Sequence, residues 1–110
     1  MKTYKQFHGQ TPPSEIGREL RKILTIEKKA FKILTGYGST SGTSVSKHAA
    51  LKSLKNMRKA GLIVGYLPGE VKNQLLLETS PYYEAKLTYE HILKKDADFG
   101  NDGIIFVFVT

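Results

Sequence analysis

Apolar positions change their spacing several times along the chain, and each change marks an element. Residues 2 to 7 (KTYKQF) read as a short strand that ends at His8-Gly9. TPPSEI then opens a helix, with Thr11 as N-cap and Pro12 at the first helical position, where the missing N–H of proline costs nothing. Ile16, Leu20, Ile23 and Leu24 recur at helical spacing and predict its buried stripe, leaving Arg18, Arg21 and Lys22 toward water. Residues 30 to 34 (AFKIL) predict a second strand, and a second helix runs from about Ser46 to Ala60 with Gly61 as its C-cap. LIVGYL at 62 to 67 is a third strand, closed by a Pro68-Gly69 turn. Ser80-Pro81 opens a third helix on which Tyr82, Ala85, Tyr89, Ile92 and Leu93 share one face, while residues 70 to 79 suit strand and helix equally. After a turn at 100 to 103 (GNDG), the unbroken apolar run IIFVFV at 104 to 109 predicts a last strand buried on both faces.

Strands alternating with helices imply parallel pairing through right-handed crossovers. His8-Gly9 and Thr35-Gly36-Tyr37-Gly38 each follow the carboxyl end of a strand. If the first helix is a single crossover, both lie on one edge of the sheet, the edge at which open α/β sheets bind ligands.

The second of these segments continues into a long glycine-rich connection. Gly36, Gly38 and Gly42 stand among Ser39, Thr40, Ser41, Thr43 and Ser44, just ahead of a helix N-terminus. Glycines let backbone N–H groups approach an anion, the hydroxyls add donors, and the helix dipole is positive at that end, so phosphate is the natural occupant. The loop is not a mononucleotide P-loop, because the Gly-Lys-Ser/Thr ending is missing. Nor is it a dinucleotide fingerprint, because Ser41 stands where the last glycine belongs. A plain strand-to-helix connection is the competing reading.

Placing the second helix at 100° per residue puts Ala50, Leu51, Leu54 and Met57 toward the core and His48, Lys52, Lys55 and Lys59 on an outer stripe, with Lys47 beside the loop. Lysines in line follow a phosphate backbone rather than gripping a single phosphate, and Tyr37 can stack on an unpaired base. A merely solvated lysine face is the alternative.

Composition narrows the partner. Seventeen Lys and Arg against ten Asp and Glu give a net charge of +7, which favours polyanions. The 110 residues suffice for one domain, and with no cysteine there is no disulfide scaffold, thiolate metal site or Cys nucleophile. MKTYKQFHGQ lacks the apolar region of a signal peptide and the longest apolar run is too short for a bilayer, so a cytoplasmic protein without a membrane partner is expected. The histidines at 8, 48 and 91 lack metal-ligand spacing, and DADFGNDG at 96 to 103 lacks the glycine position and final Glu of a calcium loop.

Phe7-His8-Gly9 followed by Thr11 resembles the Asp-x-His-Gly signature that closes the first strand of the small MutS-related (Smr) domain family. Thr35-Gly36-Tyr37-Gly38, with Gly42 beyond, resembles the family's Thr-Gly-x-Gly signature, and DGIIFVFV at 102 to 109 its glycine-led last strand. The resemblance covers residues 3 to 67 and 99 to 110. It implies an α/β two-layer sandwich, a four-stranded mixed sheet with two crossover helices like the C-terminal domain of translation initiation factor three. Residues 68 to 98, with the extra helix before the last strand, then form an insertion in a single domain of residues 1 to 110. It also implies binding to DNA or RNA, in many members with nicking or RNA endonuclease activity.

Gln6 replaces the family's acidic residue and removes a metal ligand or general base. Two readings follow: a binding module with weak or lost cleavage, needing no cofactor, and an endonuclease with His8 as acid or base, aided by a divalent metal. A winged-helix reading of residues 43 to 71 lacks the helix it needs upstream, since GYGSTSG at 36 to 42 cannot supply one. The apolar and tyrosine content of 71 to 93 fits either a protein-binding or dimerisation surface or ordinary core packing.

Overall fold

The last strand organises the molecule. A computed structural model describes residues 1–36 and 45–110. The strands are β1 (Thr3–Tyr4), β2 (Ala30–Leu34), β3 (Gly65–Pro68) and β4 (Ile104–Phe108), and the helices are α1 (Ile16–Leu24), α2 (Val45–Lys59) and α3 (Tyr83–Leu93). They form one four-stranded sheet in the order β1-β2-β4-β3. β1 and β2 run parallel, whereas β4 is antiparallel to both of its neighbours. β3 therefore points the same way as β2, and α1 and α2 each cross between parallel strands. The sheet is mixed, as expected: the parallel pairing implied by strand-helix alternation joins β1 to β2, and β4 enters between β2 and β3 from the opposite direction.

Period-two alternation splits the sheet into two apolar faces. On the first, Tyr4, Phe31, Ile33, Tyr66, Ile105 and Val107 pack with Phe7 under Ile16, Leu20 and Ile23 of α1 and Ala50, Leu54 and Met57 of α2. On the second, Leu67, Ile104, Phe106 and Phe108 pack with Val71, Ala85, Leu93 and Phe99. Every residue of β4 is buried, as the unbroken apolar run predicts. Each such side chain contributes about 1.5–3 kcal/mol relative to exposure. The layer over the second face is the long connection from β3 to β4: a 3₁₀ turn (Gly69–Asn73), then α3 and the turns at 96 to 103. Tyr89 stacks flat on Phe108 with centroids 3.8 Å apart, and Phe99 meets Phe106 edge-on at 6.0 Å. The Lys86 ammonium ties α3 to the 3₁₀ turn by donating to the Val71 and Gln74 carbonyls at 2.6 and 2.9 Å. Where the connection leaves β3, a Cβ on Gly69 would sit 2.1 Å from the Asn101 carbonyl oxygen, so only glycine lets the two ends close.

Several boundaries differ from the sequence expectation. α1 starts at Ile16 after a short 3₁₀ turn (Pro13–Glu15), and no side chain caps either helix start. Buried Thr11 donates its hydroxyl to the Gln6 carbonyl at 2.9 Å instead, bracing the turn after β1. β3 begins at Gly65 rather than Leu62, because Leu62 still donates its N–H back to Met57 of α2 at 2.9 Å. Ile92 is 39% exposed and falls off the buried face of α3. Leu51 is only half-buried, unlike Ala50, Leu54 and Met57.

Lys32 is the exception on the second face. It sits mid-strand opposite Phe106, buried, and its ammonium donates to Asp96 at 3.0 Å and Asp98 at 2.7 Å. Burial disfavours its charge, but the hydrogen bonds and attraction of Asp98 and Asp96 outweigh that and hold its pKa above the usual value. A folded-state pKa raised above the unfolded one adds stability that is fully present below about pH 10.4 and is lost as pH rises through the folded value. Lys32→Met strands two carboxylates. It should destabilise the fold by about 2–3 kcal/mol, below the ~3–5 kcal/mol of a wholly buried pair because Asp98 keeps water contact. Denaturant melts should show this loss as flat from about pH 6 to about pH 9 and shrinking above about pH 10.4. A loss that vanishes near neutral pH would contradict it.

Candidate nucleic-acid interface

Parallel pairing of β1 and β2 brings both of their carboxyl ends to one edge. Thr35, buried at the end of β2, donates its N–H to the Gly103 carbonyl at 2.8 Å and its hydroxyl to the same oxygen at 3.4 Å. That fixes the exit of β2 against the start of β4. Gly36 follows with φ of 84°, a left-handed conformation that glycine adopts without penalty. The ring of His8 lies directly over it: a Cβ on Gly36 would be 2.7 Å from His8 Cδ2 and 3.2 Å from Nε2. The His8 residue is otherwise exposed. The two motifs, distant in sequence, therefore touch at this edge. Tyr37, Gly38, Ser39 and Gly42, with the hydroxyl residues between and after them, lie outside the described residues.

α2 begins at the end of the sheet where β3 also finishes, since its Lys47 reaches Glu70 just past that strand, and it presents His48, Lys52, Lys55 and Lys59 on its exposed side. Lys47 is placed differently from expectation. It is buried, and its ammonium bonds Glu70 of the 3₁₀ turn after β3, so it anchors the start of α2 to that turn. One residue separates the two roles, because a 100° step per residue carries Lys47 off the outer stripe. The second carboxylate oxygen of Glu70 is buried and has no hydrogen-bond partner among the described residues.

The outer stripe also forms one wall of a groove of about 570 Å³. His48, Leu51, Lys52 and Lys55 of α2 line one side, Tyr66 of β3 lies in it, and Pro81 and Tyr82, just ahead of α3, close the other. Tyr66 and Tyr82 meet edge-to-face, centroids 5.6 Å apart at 82°. Burial, with Tyr66 and Glu70 adding to it, pushes the Tyr82 phenol up to about 12. Burial also raises Tyr66, against the opposing charge of Arg58. Both rings therefore stay neutral at physiological pH, and the charge lining the groove is basic. The sequence reading placed Tyr82 on one face of α3 with Ala85, Tyr89, Ile92 and Leu93 and gave Tyr66 no role beyond its strand. Their signal was available only as tyrosines flanking Pro81 and within LIVGYL, with nothing to say that they converge on α2.

Among the described residues no three His, Cys, Asp or Glu side chains gather in a metal-binding cluster, and no helix is long and apolar enough to cross a membrane. Comparison with protein-family models, curated proteins and solved structures finds no match to this chain.

The contact between His8 and Gly36 predicts the behaviour of a methyl group placed there. Gly36→Ala must adopt a left-handed backbone, costing about 1–2 kcal/mol, and must displace the imidazole. The expected outcome is a modest fall in stability with a clear shift of the His8 ring resonances in an NMR spectrum. Ring resonances that stay in place would show that the imidazole does not rest on Gly36.

Proposed function

We propose that this is an Smr-like domain that binds nucleic acid through its phosphate backbone, with cleavage weak or absent. The observation that carries the reading is the exposed stripe of His48, Lys52, Lys55 and Lys59 along one side of α2. A row of cations along one helix face matches a row of phosphates, and the net charge of +7 adds long-range attraction. The glycine-rich loop, from Thr35 and Gly36 through Gly42, is the proposed phosphate cradle at the head of that stripe. Lys47 stays with Glu70 and takes no part.

In a titration of affinity against salt, log K should fall linearly with log salt. Reversing Lys52, Lys55 and Lys59 together to Glu should abolish measurable binding at moderate salt, and any residual binding should have a slope smaller by about 2–3, near 0.7–0.9 per lost contact. Unchanged binding by a folded triple variant would reduce the stripe to a solvated face.

An endonuclease is the second reading, favoured by the exposed imidazole of His8 over the left-handed Gly36. It lacks an acid where the resembling family carries one, since Gln6 stands there. Acid-base help is worth about 10²–10⁴ in rate. Gln6→Asp should therefore raise any cleavage measured on DNA and RNA substrates with divalent metal, and His8→Ala should remove the gain. Robust wild-type cleavage that depends on His8 would make the protein an enzyme and Gln6 no handicap.

A further inference from the structure

The lysine stripe alone does not distinguish a duplex from a single strand, since both present phosphates. The groove beside it does. Its α2 wall, with Lys52 and Lys55, faces an aromatic and apolar side made of Tyr66, Pro81 and Tyr82. A duplex keeps its base faces stacked inside, so aromatic rings beside a cationic row gain nothing from it. An unpaired nucleotide offers both a phosphate and a π-face, and stacking on an aromatic ring is sequence-tolerant. The volume of about 570 Å³ falls within the range of about 300–1,000 Å³ usual for small-ligand sites. Among the described residues no acidic side chain lines the groove, and Glu70, the carboxylate that acts on Tyr82, is paired with Lys47.

We propose that this groove seats an unpaired nucleobase against Tyr82, with the flanking phosphates on Lys52 and Lys55, so that the ligand is single-stranded nucleic acid. The inference rests on the backbone-binding reading above and adds to it the strandedness of the ligand and a site that includes the connection between β3 and β4. That connection, through Pro81-Tyr82, builds half of the site.

Fluorescence anisotropy with a labelled oligo-dT or oligo-U and a duplex of equal length, at one fixed low salt, tests it. The single strand should bind at least about 10-fold tighter than the duplex, and Tyr82→Ala should weaken the single strand by about 5- to 100-fold while leaving the duplex unchanged. Tyr82→Phe should retain most of the affinity, because the ring rather than the hydroxyl does the stacking. The chain has no tryptophan, so Tyr82→Trp creates a single reporter whose emission should be quenched by the single strand and not by the duplex. This variant keeps the aromatic volume and gives a readout should the alanine variant fail to fold. If duplex and single strand bind equally and neither the Tyr82→Trp emission nor the Tyr82→Ala affinity responds, the groove is no base site, while the backbone reading stands. If neither form of nucleic acid binds, the backbone reading fails and this inference falls with it.

Discussion

β4 lies between β2 and β3 with both faces covered, and the placement of the other elements follows from how that burial is satisfied. Ile105 and Val107 need a layer on one side, and α1 and α2 supply it. Ile104, Phe106 and Phe108 need a layer on the other, and only the connection between β3 and β4 is long enough to provide one. A strand with apolar residues on both sides cannot sit at the edge of a one-layered sheet without exposing several large side chains. β4 runs antiparallel to β3 because the connection returns to the end at which β3 finished, where the Gly100 N–H donates to the Gly69 carbonyl at 2.9 Å.

Covering the second face places Tyr82 near α2. The chain that packs Val71, Ala85 and Leu93 onto the sheet must pass the flank of α2 on its way, and Pro81-Tyr82 is where it does so. A segment that serves the core thereby becomes one wall of a groove whose other wall is basic. Ala85 and Leu93 are buried, while Leu75, Leu77 and Leu87 remain exposed.

The charges divide by burial. Lys32 and Lys47 lie inside and are held by Asp96, Asp98 and Glu70, where removing a partner costs more than the pair itself contributes. Lys52, Lys55 and Lys59 lie outside and keep their hydration. Of these two groups only the second can exchange counterions for phosphates.

Much of this was legible along the chain because it depends on local periodicity. The buried stripe of α1, the exposed stripe of α2 and the double burial of β4 are each written in spacing that any neighbour of the right polarity would satisfy. The fate of Lys47 was not: a lysine next to a lysine stripe reads as part of it until a carboxylate from beyond β3 is known to reach its ammonium. Lys32 in AFKIL likewise gives no hint of Asp96 and Asp98, more than sixty residues away. Thr11 has the chemistry of a helix cap, yet the backbone turn after β1 presents it with the Gln6 carbonyl first. The groove belongs to the same class. Periodicity reports which face of an element is apolar, but long-range pairing selects the element that covers it, and a site built from α2, β3 and the approach to α3 exists only once those three have met.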